Sequence, residues 1–137
     1  MLKYQDRAIV IKILNNSKVI AVVGLSNKAD RPSYKVASYL QQHGYKILPV
    51  NPVISEVLGE KSYPDLESIP RDVDVTQIFR KSEDVLPVVE SAIAKGTRAV
   101  WLQEGIINNE AARLAEEAGI DFIMNLCMLK EHKKHGL

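Results

Sequence analysis

Five apolar residues in a row, Val19-Ile20-Ala21-Val22-Val23, run into Gly24 and then into a short polar loop. No polar residue interrupts the run, which is the pattern of a strand covered on both faces. Gly24 ends it where a backbone without a Cβ can turn sharply or approach a ligand closely. The loop from Leu25 to Arg31 contains Ser26, Lys28 and Arg31. Pro32 and Ser33 then open a stretch with Val36, Ala37 and Leu40 at helical spacing, and proline suits the first turn of a helix. Free N–H groups and a positive helix end would converge at such a junction, which favours an anion. A plain strand-to-helix connection has the same appearance, and this stretch alone leaves both readings open.

The remaining chain repeats the alternation. Tyr4 to Leu14 reads as an amphipathic leading helix broken by Asn15, Asn16 and Ser17. The helix from Ser33 to Gln42 ends at Gly44, a C-cap residue, and Tyr45 to Val50 forms a second strand stopped by Asn51 and Pro52. Glu56 to Leu66 reads as loop with at most a helical turn, and Val73 to Phe79 as the third strand. Ser82 resembles an N-cap, with Glu83 and Asp84 in the first turn of a helix that stops at Gly96. Arg98 to Leu102 is the fourth strand, Asn108 or Asn109 opens a helix ending near Gly119, and Ile120 to Met124 is the fifth strand. The Lys-rich tail after Leu129 reads as a solvated end. Strands separated by helices imply right-handed crossovers and a mainly parallel sheet, an α/β fold.

The totals narrow the class. At 137 residues the chain fits one domain, residues 1–137, with room for a proper core. Its 18 basic and 17 acidic side chains give a net charge of +1, so no global field recruits nucleic acid. No apolar run approaches bilayer length and no signal-peptide pattern opens the chain, so a cytoplasmic protein without a membrane partner is expected. The single cysteine, Cys127, leaves no internal disulfide and no Cys-rich metal site.

In a parallel sheet, ligands bind beyond the carboxyl ends of the strands, near the switch in strand order. Those ends collect Gly24, Leu25 and Ser26; Asn51, Pro52 and Val53; Phe79, Arg80 and Ser82; Gln103, Glu104 and Gly105; and Cys127. A dinucleotide site would have G-x-G-x-x-G after the first strand and a carboxylate about 20 residues on. Here the turn is Gly24-Leu-Ser-Asn-Lys-Ala and the second strand ends in Asn51-Pro52, so NAD is disfavoured by two independent absences. No Gly-Lys-Ser/Thr follows Gly24, which excludes a Walker A loop. What remains is cationic reach: Lys28, Arg31 and Lys35 for phosphate oxygens, with the Ser26 and Ser33 hydroxyls as further donors.

GLSxKxDRPSYxVAxYLQxxGYxIxPVNP, then VLGEKxYPxLxxIP, FRxSEDV and AVWLQEGIxN, resemble the single-domain coenzyme A-binding proteins. These are small relatives of the nucleotide-binding domain in the alpha subunit of succinyl-CoA synthetase. The resemblance covers about Ile20 to His132. It implies a Rossmann-like three-layer domain, a five-stranded mainly parallel sheet with helices on both faces and coenzyme A across the carboxyl edge. On that resemblance, the Gly24-Leu25-Ser26 turn would approach the pyrophosphate, and Lys28, Arg31 and Ser33 would serve the phosphates. Asn51, Pro52 and Val53 would border the adenine and ribose, and Phe79 and Arg80 would line the ligand, with Ser82 starting the next helix. Gln103-Glu104-Gly105 would lie beside the pantetheine arm, with glutamine where the synthetase has threonine. For Phe79, core packing stands equally open, and for Glu104 a solvated loop position does too.

The synthetase reaction needs a phosphorylated histidine from a second domain, and no such domain is visible in this chain. His43, His132 and His135 stand in no catalytic or metal-ligand spacing and read as exposed polar residues. The expectation is non-catalytic binding of coenzyme A or an acyl-CoA, regulatory or carrier in role. A nucleotide-dependent enzyme of NAD oxidoreductase type, and an interaction subunit of a CoA-using complex, are the alternatives; a homodimer or a partner protein is open. Cys127 reads as a buried structural thiol or as one that exchanges disulfide with the coenzyme's thiol.

Overall fold

A computed structural model describes residues 3–136. A 3-10 turn, Lys3–Gln5, leads into helix α1, Arg7–Asn16, whose N-cap Asp6 accepts from the N–H groups of Ala8 and Ile9. Strand β1, Val19–Val23, follows, then α2, Pro32–Gln42, and β2, Lys46–Val50. Two-residue strands β3, Glu56–Val57, and β4, Glu60–Lys61, form an antiparallel hairpin. Strand β5, Val75–Ile78, and the 3-10 turn Ser82–Asp84 precede α3, Val85–Lys95. The chain closes with β6, Ala99–Leu102, α4, Asn109–Glu117, β7, Asp121–Ile123, and α5, Met128–Lys134.

The five longer strands form one parallel sheet in the order β2-β1-β5-β6-β7. This is the Rossmann-like fold expected, with β1 central enough to be buried along its whole length. Its side chains alternate between two cores. Ile20 and Val22 pack with residues of α1, α2 and α5; Ala21 and Val23 pack with residues of α3 and α4. Burial on both faces is why β1 reads as an unbroken apolar run. The chain leaves β1 for β2 on one side and then crosses to β5 on the other, so the switch in strand order lies between β1 and β5.

Four expectations about the elements need correction. The leading helix starts at Arg7, because Asp6 caps it, and it includes Asn15 and Asn16 in place of being broken by them. The segment from Glu56 to Leu66 contains the β3–β4 hairpin, closed by Leu58 and Gly59 at positive φ, where a leucine gives no turn signal. Ser82 is not the helix N-cap. A 3-10 turn intervenes, and the Ser82 hydroxyl instead accepts from the Ile107 N–H at 3.0 Å. The tail is not a solvated end: α5 buries Met128 and His132 against the sheet face and α2. No helix of the described residues is long and apolar enough to cross a membrane.

Candidate functional site

The carboxyl edge is tied together by backbone and side-chain bonds between neighbouring loops. Gly24 donates its N–H to the Val50 carbonyl at 2.9 Å, and Phe79 donates to the Val23 carbonyl at 2.9 Å. With φ +87°, a Cβ on Gly24 would lie 2.3 Å from the Phe79 carbonyl oxygen. The glycine at the switch point is therefore required by the backbone that leaves β5 beside it. The Asn51 amide nitrogen donates to the Leu25 carbonyl at 3.0 Å, while its oxygen accepts from the Val53 N–H at 3.0 Å. Asn51 thus braces one loop against the next. On the far side, Asn108 donates to the Ser82 carbonyl, and the Gly105 N–H donates to Asn125 Oδ1 at 2.7 Å.

The loop after Gly24 satisfies part of its own polarity. Leu25 is fully buried and its side chain belongs to the core beneath α2. The Ser26 N–H donates to Ser33 Oγ and the Lys28 N–H to Ser26 Oγ, both at 3.0 Å. Those two N–H groups are engaged, contrary to the expectation that the turn's donors stay free; both hydroxyls keep their own proton to donate. Pro32 has no N–H, and the Lys35 N–H is the one that reaches back to the Arg31 carbonyl at 3.1 Å. The N–H groups of Ser33 and Tyr34 therefore precede that bond and belong to the open helix start. Around them Lys28, Arg31 and Lys35 are exposed, and Arg31 makes no side-chain cap.

Beside this turn lies a cleft of about 530 Å³, lined by Pro32, Lys35 and Val36 of α2, Phe79 and Arg80 after β5, Gln103, Glu104 and Ile106 after β6, and Cys127, Leu129 and Lys130 of the α5 region. A smaller cleft of about 140 Å³, with Val23, Val50, Leu66 and Val88 in its lining, meets it at Arg80, which borders both. A further cleft of about 300 Å³, around Lys12 and Asp121, lies at the amino ends of β6 and β7, the wrong end for a ligand of this fold.

Of the residues expected at the site, Phe79, Arg80, Gln103, Glu104 and Cys127 line one cleft. Phe79 does both things open to it, packing on the core and facing the cleft. Glu104 is an exposed carboxylate paired with Lys130 Nζ at 3.0 Å, an arrangement that holds the Lys130 ammonium above its usual pKa. Ser82 and Gly105 serve loop bonding, Pro52 is exposed, and Val53 is 85% exposed on the rim beyond β2. Cys127 is buried, the residue before α5, and its carbonyl accepts from Glu131.

Sequence reading missed the α5 wall, Leu129 and Lys130. The signal was Met128, Leu129 and His132, spaced to make one helical face within the basic tail. His132 is 3% exposed, not a surface residue; its Nδ1 lies 2.8 Å from the Tyr39 hydroxyl, and its ring meets those of His43 and Tyr45 edge-on.

Comparison with known proteins agrees with this fold. A family model described as "CoA binding domain" matches residues 18–133. An uncharacterized protein of Bacillus subtilis, YneT, is 40% identical over 127 residues, covering 93% of this chain and 94% of that one. An ADP-forming acetate–CoA ligase of Archaeoglobus fulgidus is 30% identical over 122 residues, 88% of this chain but only 17% of the ligase. A solved structure of a hypothetical protein from Pyrococcus horikoshii superposes with a TM-score of 0.90 at 41% identity, covering 94% of this chain and 91% of that one.

Proposed function

Because the chain belongs to the CoA binding domain family, we propose that it binds coenzyme A or an acyl-CoA at the carboxyl edge of its sheet, without turning it over. One observation carries this reading: the glycine bend at the switch point lies against Phe79, which lines the 530 Å³ cleft together with Arg80, and Lys28 and Arg31 are exposed on the loop that leads from the bend to Pro32 at the cleft's edge. A diphosphate at the start of α2 would meet the Ser33 and Tyr34 N–H groups and the loop cations, arginine through its planar fork and lysine as a mobile charge. The mostly aliphatic 140 Å³ cleft that Arg80 borders suits a base, and Asn51, Pro52 and Val53 follow directly on Val50, which lines it. The larger cleft on the other side suits the pantetheine arm, directed toward Gln103, Glu104 and Cys127.

Calorimetric titration with coenzyme A, its dephospho form, NAD and ATP tests the proposal. Coenzyme A should bind tightest, and loss of affinity for the dephospho form would assign the cations to the ribose phosphate. Saturating titrations without heat, or tighter binding of NAD, would overturn it. Cys127 borders the same cleft, so an oxidised coenzyme disulfide would meet its thiol there. Exchange would form the protein–coenzyme disulfide and release one coenzyme thiol, an adduct that intact-mass measurement under non-reducing conditions detects. An unchanged mass leaves Cys127 as a packing residue. A second reading, an interaction subunit, is favoured by the ligases, in which the matching region is one part of a much longer chain; co-purification with a partner protein tests it.

A further inference from the structure

Gln103 follows β6 and lines the 530 Å³ cleft, yet it is only 6% exposed. Two donors converge on its side-chain oxygen: the Met128 backbone N–H at 3.4 Å and Gln77 Nε2 at 3.3 Å. A backbone N–H can bond only the oxygen of a carboxamide, so Met128 decides which end of the Gln103 amide turns inward. Gln77 is oriented in its turn. Its nitrogen faces Gln103 Oε1, with the Met128 sulfur at 3.4 Å, and its own oxygen is left buried without a partner.

A wholly buried amide with an unmet oxygen destabilises the fold. An aliphatic residue between Val75 and Ile78 would avoid that cost, so the amide at position 77 is accounted for by its hold on Gln103. With Oε1 held inside, the Gln103 side chain presents Nε2 to the cleft, and that nitrogen has no acceptor among the described residues.

We infer that Gln103 is a fixed hydrogen-bond donor that reads a carbonyl oxygen on the cleft's occupant, so that the cleft selects a ligand arm carrying a carbonyl over the bare nucleotide. The identity of that arm rests on the coenzyme A reading: its carbonyls are the two pantetheine amides and, in an acyl-CoA, the thioester. The donor distinguishes this position from the neighbouring Glu104, which offers only acceptors and is already paired with Lys130.

The test compares wild type with Gln103→Met and Gln103→Glu, titrated with coenzyme A, acetyl-CoA and adenosine 3′,5′-bisphosphate, which lacks the arm. The methionine removes the donor without adding charge. The glutamate keeps an oxygen for Gln77 and Met128 if loss of those bonds unfolds the methionine variant. An affinity loss of about tenfold for both arm-bearing ligands, with the bisphosphate unchanged in the methionine variant, supports the inference and assigns an amide carbonyl. In the glutamate variant the added charge repels all three ligands, so the support there is an arm-bearing loss about tenfold beyond that of the bisphosphate. A loss confined to acetyl-CoA supports it and assigns the thioester. Unchanged affinities, or an equal loss for all three ligands in either variant, overturn it while leaving coenzyme A binding intact. Wild-type protein that binds none of the three overturns the coenzyme reading and this inference together.

Discussion

Gly24 and Arg31 stand seven residues apart and do opposite work. At Gly24 the positive φ and the Phe79 carbonyl 2.3 Å from a would-be Cβ leave no room for any side chain, because a strand-end backbone cannot step aside as a flexible side chain would. Gly24→Ala should lower unfolding free energy by on the order of 2 to 3 kcal/mol in urea titrations. Gly105→Ala, with similar φ but nothing within 4 Å, should cost about 1 kcal/mol. Equal costs would mean that backbone conformation, and not the close approach, demands the glycine. Arg31 is exposed and makes no cap, so Arg31→Ala should leave the melting temperature unchanged while weakening coenzyme A binding by about 1 to 3 kcal/mol. Unchanged affinity in calorimetry would remove Arg31 from the site.

At the scale of elements, α5 matters most, because it supplies one wall of the cleft through Leu129 and Lys130. Its anchor is His132, facing Tyr39 and His43 from α2 and its C-cap and Tyr45 just before β2, with Lys133 over the Tyr39 ring. Burial, and secondarily the nearby His43, holds the His132 imidazole below its usual pKa near 6.5. The folded protein therefore binds fewer protons there than the unfolded chain. This contribution to stability is fully present above pH 6.5 and declines as pH falls below it, down to the depressed folded-state value. Urea unfolding followed from pH 8 to pH 5 should show that decline in wild type and a shallower one in His132→Gln. Identical slopes would detach the effect from His132.

For the molecule as a whole, binding and folding are linked. A ligand held only by the folded chain stabilises it by mass action, about 2.7 kcal/mol at a hundred times its dissociation constant. Thermal melting should rise with coenzyme A concentration and stay flat with NAD. The reverse order would transfer the site to a dinucleotide and contradict the absence of the second and third glycines after β1. The loop ties at the carboxyl edge, Asn51 to Leu25, Asn108 to Ser82 and Gly105 to Asn125, hold neighbouring loops together, so coenzyme A should bind there without large backbone rearrangement.

The strand β1, the glycine bend, the cationic loop and the succession of five strands and helices along the chain were all legible from the residues alone, whereas the order of the strands in the sheet was not. Each is a local signal: an apolar run, a turn residue, a proline at a helix start. Local patterns could not say that Gly24 exists for the Phe79 carbonyl, or that Ser82 bonds the next loop instead of capping its own helix. Nor could they bring Gln77, Gln103 and Met128 together across 51 residues. Those facts belong to the tertiary structure, because they arise where parallel strands distant in sequence end side by side. Packing there, and not local propensity, decides which polar atoms are held inside and which are left for a ligand.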